Sequence, residues 1–272
     1  MSEPDDALQP GKEWNAEVYH RISRPQQTWG AKVLTRLELR GDETVIDAGC
    51  GSGRLTAELL ERLPGGRVIA LDRSENMLAE ARDYLEPTYP SQVTYIQADL
   101  GALDPATIPG PADAIFSTAT FHWVHDHDRL FAGLAALLQP GGRLVAQCGG
   151  GANIATLLNR AKALMAQEPW SPSFTRFVIP MYFADPEITA ERLDRAGFTE
   201  IDAWLEETPT VFDSETVYRE FLTNVIFHHF LEVIPDQKLR ASFIEKLVEQ
   251  GREDHPPFLI DYWRLNIQAV RH

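Results

Sequence analysis

The sequence predicts a doubly wound α/β fold, in which a largely parallel β-sheet carries helices on both faces. Short apolar runs alternate with longer amphipathic runs between residues 43 and 149, and Pro-Gly-Gly ends two of the helical runs. This alternation is typical of right-handed strand–helix–strand units. After residue 151 the pattern changes, which indicates additional elements inserted around the end of the sheet.

Apolar runs in the first half predict five strands, and amphipathic runs between them predict helices. The predicted strands are 44–49, 67–72, 93–100, 112–120 and 143–149, and the predicted helices are 52–63, 74–85 and 127–138. Ser74 and Asp126 stand at the starts of two helices, where a short polar side chain caps the first turn. Together these strands are expected to form a parallel sheet with helices on both faces.

The second half predicts more helix and two further strands. Helices are expected at 152–167 and 187–198, a strand at 199–207, a helical region at 214–251 interrupted at Pro235, and a final strand at 258–271. The stretch 168–186 is rich in proline and aromatic residues and predicts a loop-rich insertion.

Composition excludes several classes of function. The 272 residues are 44% hydrophobic, which is enough for a large core, and the formal net charge of −15 disfavours binding to nucleic acid or to anionic membranes. No apolar run approaches the ~20 residues that span a bilayer, and no secretion signal is recognised, so we expect a cytoplasmic protein. In that setting Cys50 and Cys148 are expected to be free thiols.

The segment 45–53, Val-Ile-Asp-Ala-Gly-Cys-Gly-Ser-Gly, joins the first strand to the first helix. Ligands of doubly wound sheets bind at this edge, and glycines there permit positive φ and close approach to the backbone. The glycine spacing differs from that of a dinucleotide fingerprint, and Arg54 follows where a P-loop has lysine. Asp72, which ends the second strand 19 positions after Gly53, is placed to accept the two hydroxyls of a ribose.

These motifs resemble those of class I S-adenosyl-L-methionine (SAM)-dependent methyltransferases. The segment 45–53 is similar to that family's first motif, 68–82 to its second-strand motif, 97–100 to its adenine-side motif and 137–145 to the turn before its fifth strand. The resemblance implies a Rossmann-like, seven-stranded sheet whose last strand is antiparallel, with a helical cap from insertions after strand 5 and before strand 7. It also implies SAM as cofactor and S-adenosyl-L-homocysteine as product.

Roles for individual residues follow from the same resemblance. Gly49, Gly51 and Gly53 would approach the methionine part of SAM, with Cys50 contributing its backbone, and Asp47 would lie behind the loop and hold its amides. Asp72 would bind the ribose, Asp99 the adenine amino group and the Leu100 amide a ring nitrogen. Arg73 and Met77 would flank the adenine, although a solvated arginine and a core methionine would give the same pattern. Phe121 is expected to form a wall of the cofactor site.

The N-terminal residues resemble those of the trans-aconitate 2-methyltransferase group. Trp14, Asn15, Tyr19, Arg24 and Pro25 match that group's opening. The resemblance implies that residues 1–30 cover the cofactor, with Trp14 and Tyr19 excluding water and Arg24 pairing with the methionine carboxylate; stapling of a terminal helix to the sheet is the alternative. We expect one methyltransferase domain over 1–272, with 151–185 and 213–256 as cap and substrate elements.

Candidate substrate residues come from two places in the chain. His122 and Trp123 follow the fourth strand at the cofactor edge, and His122 is the candidate catalytic residue; a structural histidine is the alternative. His228 and His229 stand where the trans-aconitate group has an arginine, and at most one of them is expected to face a pocket, because adjacent helical residues point about 100° apart. The stretch 122–128 also contains five possible metal ligands, His122, His125, Asp126, His127 and Asp128. It predicts a turn before a helix that Asp126 caps, and no metal is expected.

The expected activity is methylation of a small-molecule acceptor at oxygen or carbon. Two alternatives remain open: a carboxyl methyltransferase of the trans-aconitate type, and a SAM-binding protein without turnover. The expected partner is a small-molecule substrate rather than nucleic acid or membrane, with the chain a monomer or homodimer. The sequence leaves the accepting atom open.

Overall fold

The computed structural model describes residues 24–272, with side chains from residue 29 onward. Its main sheet has seven strands in the order β3-β2-β1-β4-β5-β9-β6. Their bounds are β1 Thr44–Ala48, β2 Arg67–Asp72, β3 Val93–Gln97, β4 Ala112–Thr118, β5 Leu138–Gly149, β6 Phe198–Glu207 and β9 Trp263–Arg271. Strands β1 to β5 pair in parallel, and β9 runs antiparallel to β5. The predicted Rossmann-like fold with an antiparallel last strand is confirmed.

Helices cover both faces of the sheet, which is why its central strands are apolar throughout rather than alternating. They are α1 Arg24–Leu34, α2 Arg54–Leu60, α3 Glu75–Leu85, α4 His127–Leu137 and α6 Pro186–Arg195. Val45 packs on one face with Leu34 and Leu59, while the next residue, Ile46, packs on the other with Leu134. The two faces of one strand therefore belong to two separate cores.

The predicted helix caps are confirmed, and β5 begins earlier than predicted. The Ser74 hydroxyl accepts a hydrogen bond from the Met77 amide, and the Asp126 carboxylate accepts one from the Arg129 amide. Strand β5 begins at Leu138 rather than at residue 143. Leu138 already pairs with Ala112 before a register shift carries the Pro-Gly-Gly segment past the sheet, so that segment interrupts the pairing without ending the strand.

Among the described residues the chain divides into two compact units. The sheet unit comprises 24–151, 181–206 and 263–272, and the helical unit comprises 152–180 and 207–262. The helical unit contains α5 Ala155–Met165, α7 Glu215–Phe221, a π-helical turn Leu222–Ile226, α8 His228–Glu232, α9 Gln237–Arg252, and a small sheet of β7 Thr210–Val211 and β8 Leu259–Ile260. The predicted interruption at Pro235 lies between α8 and α9. The predicted final strand is split, because Leu259 and Ile260 pair with β7 instead of β5.

Aromatic packing forms the centre of the helical unit. Trp170 and Phe174 each lie against Phe243, and Phe177 lies against Phe230, with ring centroids 4.9–5.8 Å apart. The proline- and aromatic-rich insertion thus supplies packing residues to the helices. No helix within residues 24–272 is long and apolar enough to cross a membrane.

Candidate functional site

The three glycines after β1 all adopt positive φ, but for different steric reasons. Their φ angles are 89°, 53° and 82° at Gly49, Gly51 and Gly53. A Cβ on Gly49 would lie 2.2 Å from the Thr120 hydroxyl oxygen, and one on Gly53 would lie 2.9 Å from the Leu85 side chain. A Cβ on Gly51 would have no atom within 4 Å. Two of the glycines are therefore needed for packing, while Gly51 leaves open space at the turn.

Amides of the glycine turn are held by the end of β2. The Gly49 and Cys50 amides both donate to the Leu71 carbonyl, at 2.8 and 2.9 Å, and the Gly51 amide donates to an Asp72 carboxylate oxygen at 2.9 Å. The expectation that Asp47 holds the loop amides is thus wrong for these three. Parallel pairing of β1 with β2 brings the carboxyl ends of both strands to one edge, and this proximity provides the acceptors.

Asp47 is instead a buried carboxyl group behind the turn. It is 2% exposed and accepts a 2.7 Å hydrogen bond from the Thr56 hydroxyl of α2. Burial is the largest cause that raises its pKa to about 7; the Thr56 hydrogen bond lowers this pKa and the nearby Asp72 charge contributes to raising it. Asp47 thereby links β1 to α2.

Asp72 offers both oxygens of its carboxylate to the edge of the sheet. One oxygen accepts from the Gly51 amide and the other from the Ser74 amide, each at 2.9 Å. Burial raises the pKa of this carboxyl group, against the two amide hydrogen bonds, which lower it. Each oxygen can accept a second hydrogen bond, so a pair of vicinal hydroxyls can bind here without displacing the amides.

A cavity opens beside Asp72 at this edge. The residues that line it are Gly49, Gly51, Asp72, Met77, Thr118, Ala119, Thr120 and Trp123. Met77 and Trp123 make part of the wall apolar, and the Asp72 carboxylate makes another part anionic. The sequence predicted Gly49, Gly51, Asp72, Met77 and Trp123 as site residues.

The end of β4 contributes three cavity residues that the sequence analysis missed. Thr118 is the last residue of the strand, and Ala119 and Thr120 follow it. Ala119 has a φ of 55°, which is unusual for a residue with a side chain. The Thr120 hydroxyl donates to the Thr118 carbonyl at 2.8 Å and lies against Gly49. The small residue required at position 49 was the sequence signal for a neighbour of this kind, but it did not identify which residue.

Phe121 is a core residue, and the expectation that it forms a cofactor wall is corrected. Its side chain is fully buried, and its ring meets the edge of the Phe131 ring at a centroid distance of 6.1 Å. The short 3-10 turn Phe121–Trp123 directs these neighbours apart. Trp123, two residues later, lines the cavity instead.

Other predicted cofactor residues lie at the same edge with less direct geometry. The Ala98 amide donates to the Asp72 carbonyl at 2.9 Å, which places Asp99 just beyond the paired ends of β2 and β3. The Asp99 carboxylate accepts from the Gly101 amide, and Leu100 is buried in the core. Cys50 is buried and free, as is Cys148. Arg73 is half-buried next to Asp72.

His122 is a buried, neutral imidazole with one nitrogen in use. Its Nδ1 accepts a 3.2 Å hydrogen bond from the Gly149 amide at the end of β5. Burial lowers its pKa to about 3, and the charges of Arg264 and His127 lower it in the same direction. Nε2 makes no hydrogen bond within residues 24–272. Since a neutral ring carries one proton, the Nδ1 acceptor requires that proton on Nε2.

The other histidines of this stretch do not form a metal site. His127 is buried, and its Nε2 lies 3.0 Å from the Phe121 carbonyl oxygen. Asp126 caps α4, and Asp128 is 2.5 Å from Arg195. Among the described residues, no three histidine, cysteine, aspartate or glutamate side chains converge as metal ligands.

The adjacent histidines of the helical unit have different surroundings. His229 is fully buried, with Nδ1 3.2 Å from a Glu232 carboxylate oxygen. His228 is half-buried and lines a cavity within the helical unit. Of the remaining predictions, Trp14 and Tyr19 lie outside the described residues, as does the side chain of Arg24; only its backbone, at the start of α1, is described.

Comparison with known proteins identifies the family to which the chain belongs. Residues 45–142 match the family model described as a methyltransferase domain. The chain is 35% identical to the trans-aconitate 2-methyltransferase of Escherichia coli strain K12, over 95% of this chain and 98% of the relative. A protein of the same name from Methylobacterium nodulans is 29% identical over 95% and 98%. The chain belongs to the class I SAM-dependent methyltransferases.

Solved structures agree with this family at the level of the fold. Phosphoethanolamine N-methyltransferase 2 of Haemonchus contortus, solved with S-adenosylhomocysteine, superposes with a TM-score of 0.58 at 18% identity, over 94% of this chain and 56% of that one. The [4+2]-cyclase SpnF superposes with a TM-score of 0.56 at 19% identity, over 90% and 80%. The fold is therefore shared with proteins of different chemistry.

SAM is the cofactor of this methyltransferase, and the cavity fits it. The open space at Gly51 admits a ligand next to the backbone, and the Asp72 carboxylate has the acceptor geometry that a ribose diol requires. Met77 and Trp123 add apolar surface to the same cavity. The turn therefore needs no rearrangement to admit this cofactor.

Proposed function

We propose that this methyltransferase transfers the methyl group of SAM to a carboxylate oxygen of a small organic acid. The observation that carries the proposal is the Gly149 amide bonded to Nδ1 of His122. It leaves His122 with an N–H on Nε2 and no lone pair for accepting a proton. The best-placed histidine of the predicted substrate side is then a hydrogen-bond donor rather than a general base.

The proton count favours a carboxylate acceptor over a hydroxyl or a carbon acid. Carboxyl groups have pKa values near 4 and are ionised at neutral pH, so they need no base before they react. A hydroxyl or carbon acid benefits from one. An Nε2–H donor can orient a carboxylate oxygen, but it cannot accept the proton that a hydroxyl or carbon acid must lose. The low pKa of His122 keeps the ring neutral throughout the physiological range.

Arg264 adds positive charge near His122. It stands in register with Gly149 across β5 and β9, is 3% exposed, and its guanidinium lies 4.7 Å from the centre of the Trp29 ring. The Arg264 charge is among the causes that lower the pKa of His122. A chain of net charge −15 does not attract organic acids over most of its surface. A buried cation at this edge is therefore a feature that favours an anionic acceptor.

The relatives' name supports the same chemistry. Proteins called trans-aconitate 2-methyltransferase match nearly the whole chain, and trans-aconitate carries carboxylates. We extend to this chain the class of acceptor, a small carboxylic acid. In this proposal Gly51 and Asp72 hold SAM, which supplies an electrophilic methyl group when bound. Asp99, Leu100, Cys50 and Gly53 remain proposed cofactor residues.

Transfer of labelled methyl from SAM to trans-aconitate, followed by isolation of the product, tests the proposal. We expect a methyl ester that alkali hydrolyses, and a rate constant for transfer that stays flat from about pH 6 to pH 9, because no group with a pKa in that range is required. His122→Phe should lower the rate, since the Nε2–H donor is lost. His125→Phe is the matched control, because His125 is exposed on the same segment.

Three results would overturn the proposal. One is a product whose methyl group resists alkali, as an ether or a carbon-bound methyl does. Another is a rate that rises tenfold per pH unit below pH 7 and loses this dependence in His122→Phe, which would make His122 a base. The third is SAM binding without transfer to trans-aconitate or to any acid in a metabolite extract, which would favour a binding protein.

A further inference from the structure

The helical unit contains a cavity of its own, separate from the one at the glycine turn. Its volume is about 500 Å³, and its wall is formed by α7, the π-helical turn, α8 and the first half of α9. The residues that line it are Arg219, Thr223, His228, Leu231, Glu232, Gln237, Arg240, Ala241 and Ile244. A cavity of this size accommodates a small organic molecule.

The two arginines that line this cavity, Arg219 and Arg240, differ in how many of their guanidinium nitrogens already have a partner within the protein. Arg219 is held by two carboxylates: its guanidinium lies 2.5 Å from Glu245 and 2.9 Å from Glu215. Arg252 contacts the same two carboxylates, so this cluster of two arginines and two glutamates is neutral as a whole. Arg219 therefore already binds a carboxylate through each of its two terminal nitrogens.

Arg240 retains most of its guanidinium for another partner. Its Nε donates a 2.6 Å hydrogen bond to the Ile234 carbonyl, which fixes the plane of the group. Its two terminal nitrogens make no hydrogen bond or ion pair within residues 24–272, and the side chain is half-buried. An arginine fixed in this way presents two parallel N–H donors, the arrangement that matches a carboxylate.

The rest of the wall suits a carboxylate attached to a short carbon chain. Leu231, Ala241 and Ile244 are apolar, and His228 adds an imidazole ring. Glu232 is the one carboxylate among the residues that line the cavity. Its side chain is 42% exposed, and it lies 3.2 Å from His229 rather than from Arg240. Glu232 therefore leaves the Arg240 donors available.

We infer that this cavity binds a small organic carboxylate through Arg240. The ligand's carboxylate accepts two hydrogen bonds from the terminal guanidinium nitrogens, and its carbon chain packs on Leu231 and Ile244. The inference concerns binding within the helical unit alone, and it goes beyond the proposed acceptor because the bound acid can be the methyl acceptor or a second ligand.

Calorimetric titration of the full chain in the absence of SAM tests this inference. The probes are trans-aconitate, succinate and the uncharged trimethyl ester of trans-aconitate. We expect at least one acid to bind and the ester not to bind. Arg240→Gln should raise the Kd of the acid at least tenfold, and Arg240→Lys should raise it less, because lysine keeps the charge and loses the paired donors. Lys238→Gln removes the same charge from an exposed site on α9 and should leave the Kd unchanged.

SAM affinity, measured on every variant, reports that the fold is intact and should stay within twofold of the unsubstituted chain. The inference is overturned if neither acid binds, if the ester binds as well as the acid, if Arg240→Gln and Arg240→Lys bind the acid as the unsubstituted chain does, or if Lys238→Gln weakens binding equally. Acid binding through Arg240 without any methyl ester product would refute the proposed function alone. Ester formation with an unchanged Kd in Arg240→Gln would refute this inference alone.

Discussion

Replacing Asp72 by alanine gives the most direct test of the cofactor site. The Asp72 carboxylate accepts amides from Gly51 and Ser74 and keeps acceptor capacity toward the cavity. Alanine removes the acceptors for a ribose diol and also frees the Gly51 amide. We therefore expect Asp72→Ala to weaken SAM binding by more than it weakens folding.

The magnitude follows from the bonds that are lost. Hydrogen bonds to a charged acceptor contribute about 1.5–3 kcal/mol, and this range corresponds to a Kd for SAM that is about 10- to 150-fold higher. The loss of folding stability is expected to be smaller than this. Burial disfavours the ionised form of Asp72 and raises its pKa, and alanine removes this desolvation cost along with the amide bonds.

Isothermal titration with SAM and urea unfolding measure the two effects separately. Asp104→Ala is a matched control, because the Asp104 carboxylate also accepts a backbone amide in an Asx turn, from Ala106, but lies exposed outside the cavity. The reasoning is refuted if folded Asp72→Ala binds SAM within twofold of the unsubstituted chain. It is equally refuted if Asp104→Ala weakens SAM binding as much.

Three further predictions follow from the geometry behind and beside the turn. Because burial raises the pKa of Asp47 from 3.8 to about 7, the folded chain keeps a proton that the unfolded chain releases. The free energy of unfolding of the SAM-free chain should therefore fall as pH rises from about 4 through 7. Asp47→Asn should reduce this fall in urea titrations at several pH values, and the same pH dependence in both proteins would contradict the raised pKa. Gly51→Ala should cost about 1–2 kcal/mol for its positive φ and weaken SAM binding, whereas Gly49→Ala should also overlap Thr120 and unfold at clearly lower urea; equal midpoints would contradict the contact. Phe121→Ala should cost about 3–5 kcal/mol of stability as a core truncation. A change in SAM affinity without such a loss would contradict the core role and support a contact between Phe121 and the cofactor.

Much of the sheet was predictable because buried strands and amphipathic helices leave strong periodic signals. The order of elements from β1 to β5, the caps at Ser74 and Asp126, and the interruption near Pro235 all follow from local residue patterns. Local patterns were less informative where pairing decides the outcome. Strand β5 starts early because Leu138 finds a partner in Ala112, and the last strand splits because Leu259 pairs with β7.

The sequence by itself determined the family, the sheet and the position of the glycine turn. The reason is that the glycine motif and the aspartates that follow the next two strands can be recognised from local residue patterns. Only the tertiary structure decided that Gly49 accommodates Thr120, that Trp123 rather than Phe121 lines the cavity, and that Gly149 occupies Nδ1 of His122. The physical reason is the same in each case. These outcomes depend on which atoms from strand ends that are distant in sequence come into contact at one edge of the sheet. Local sequence patterns do not predict such contacts.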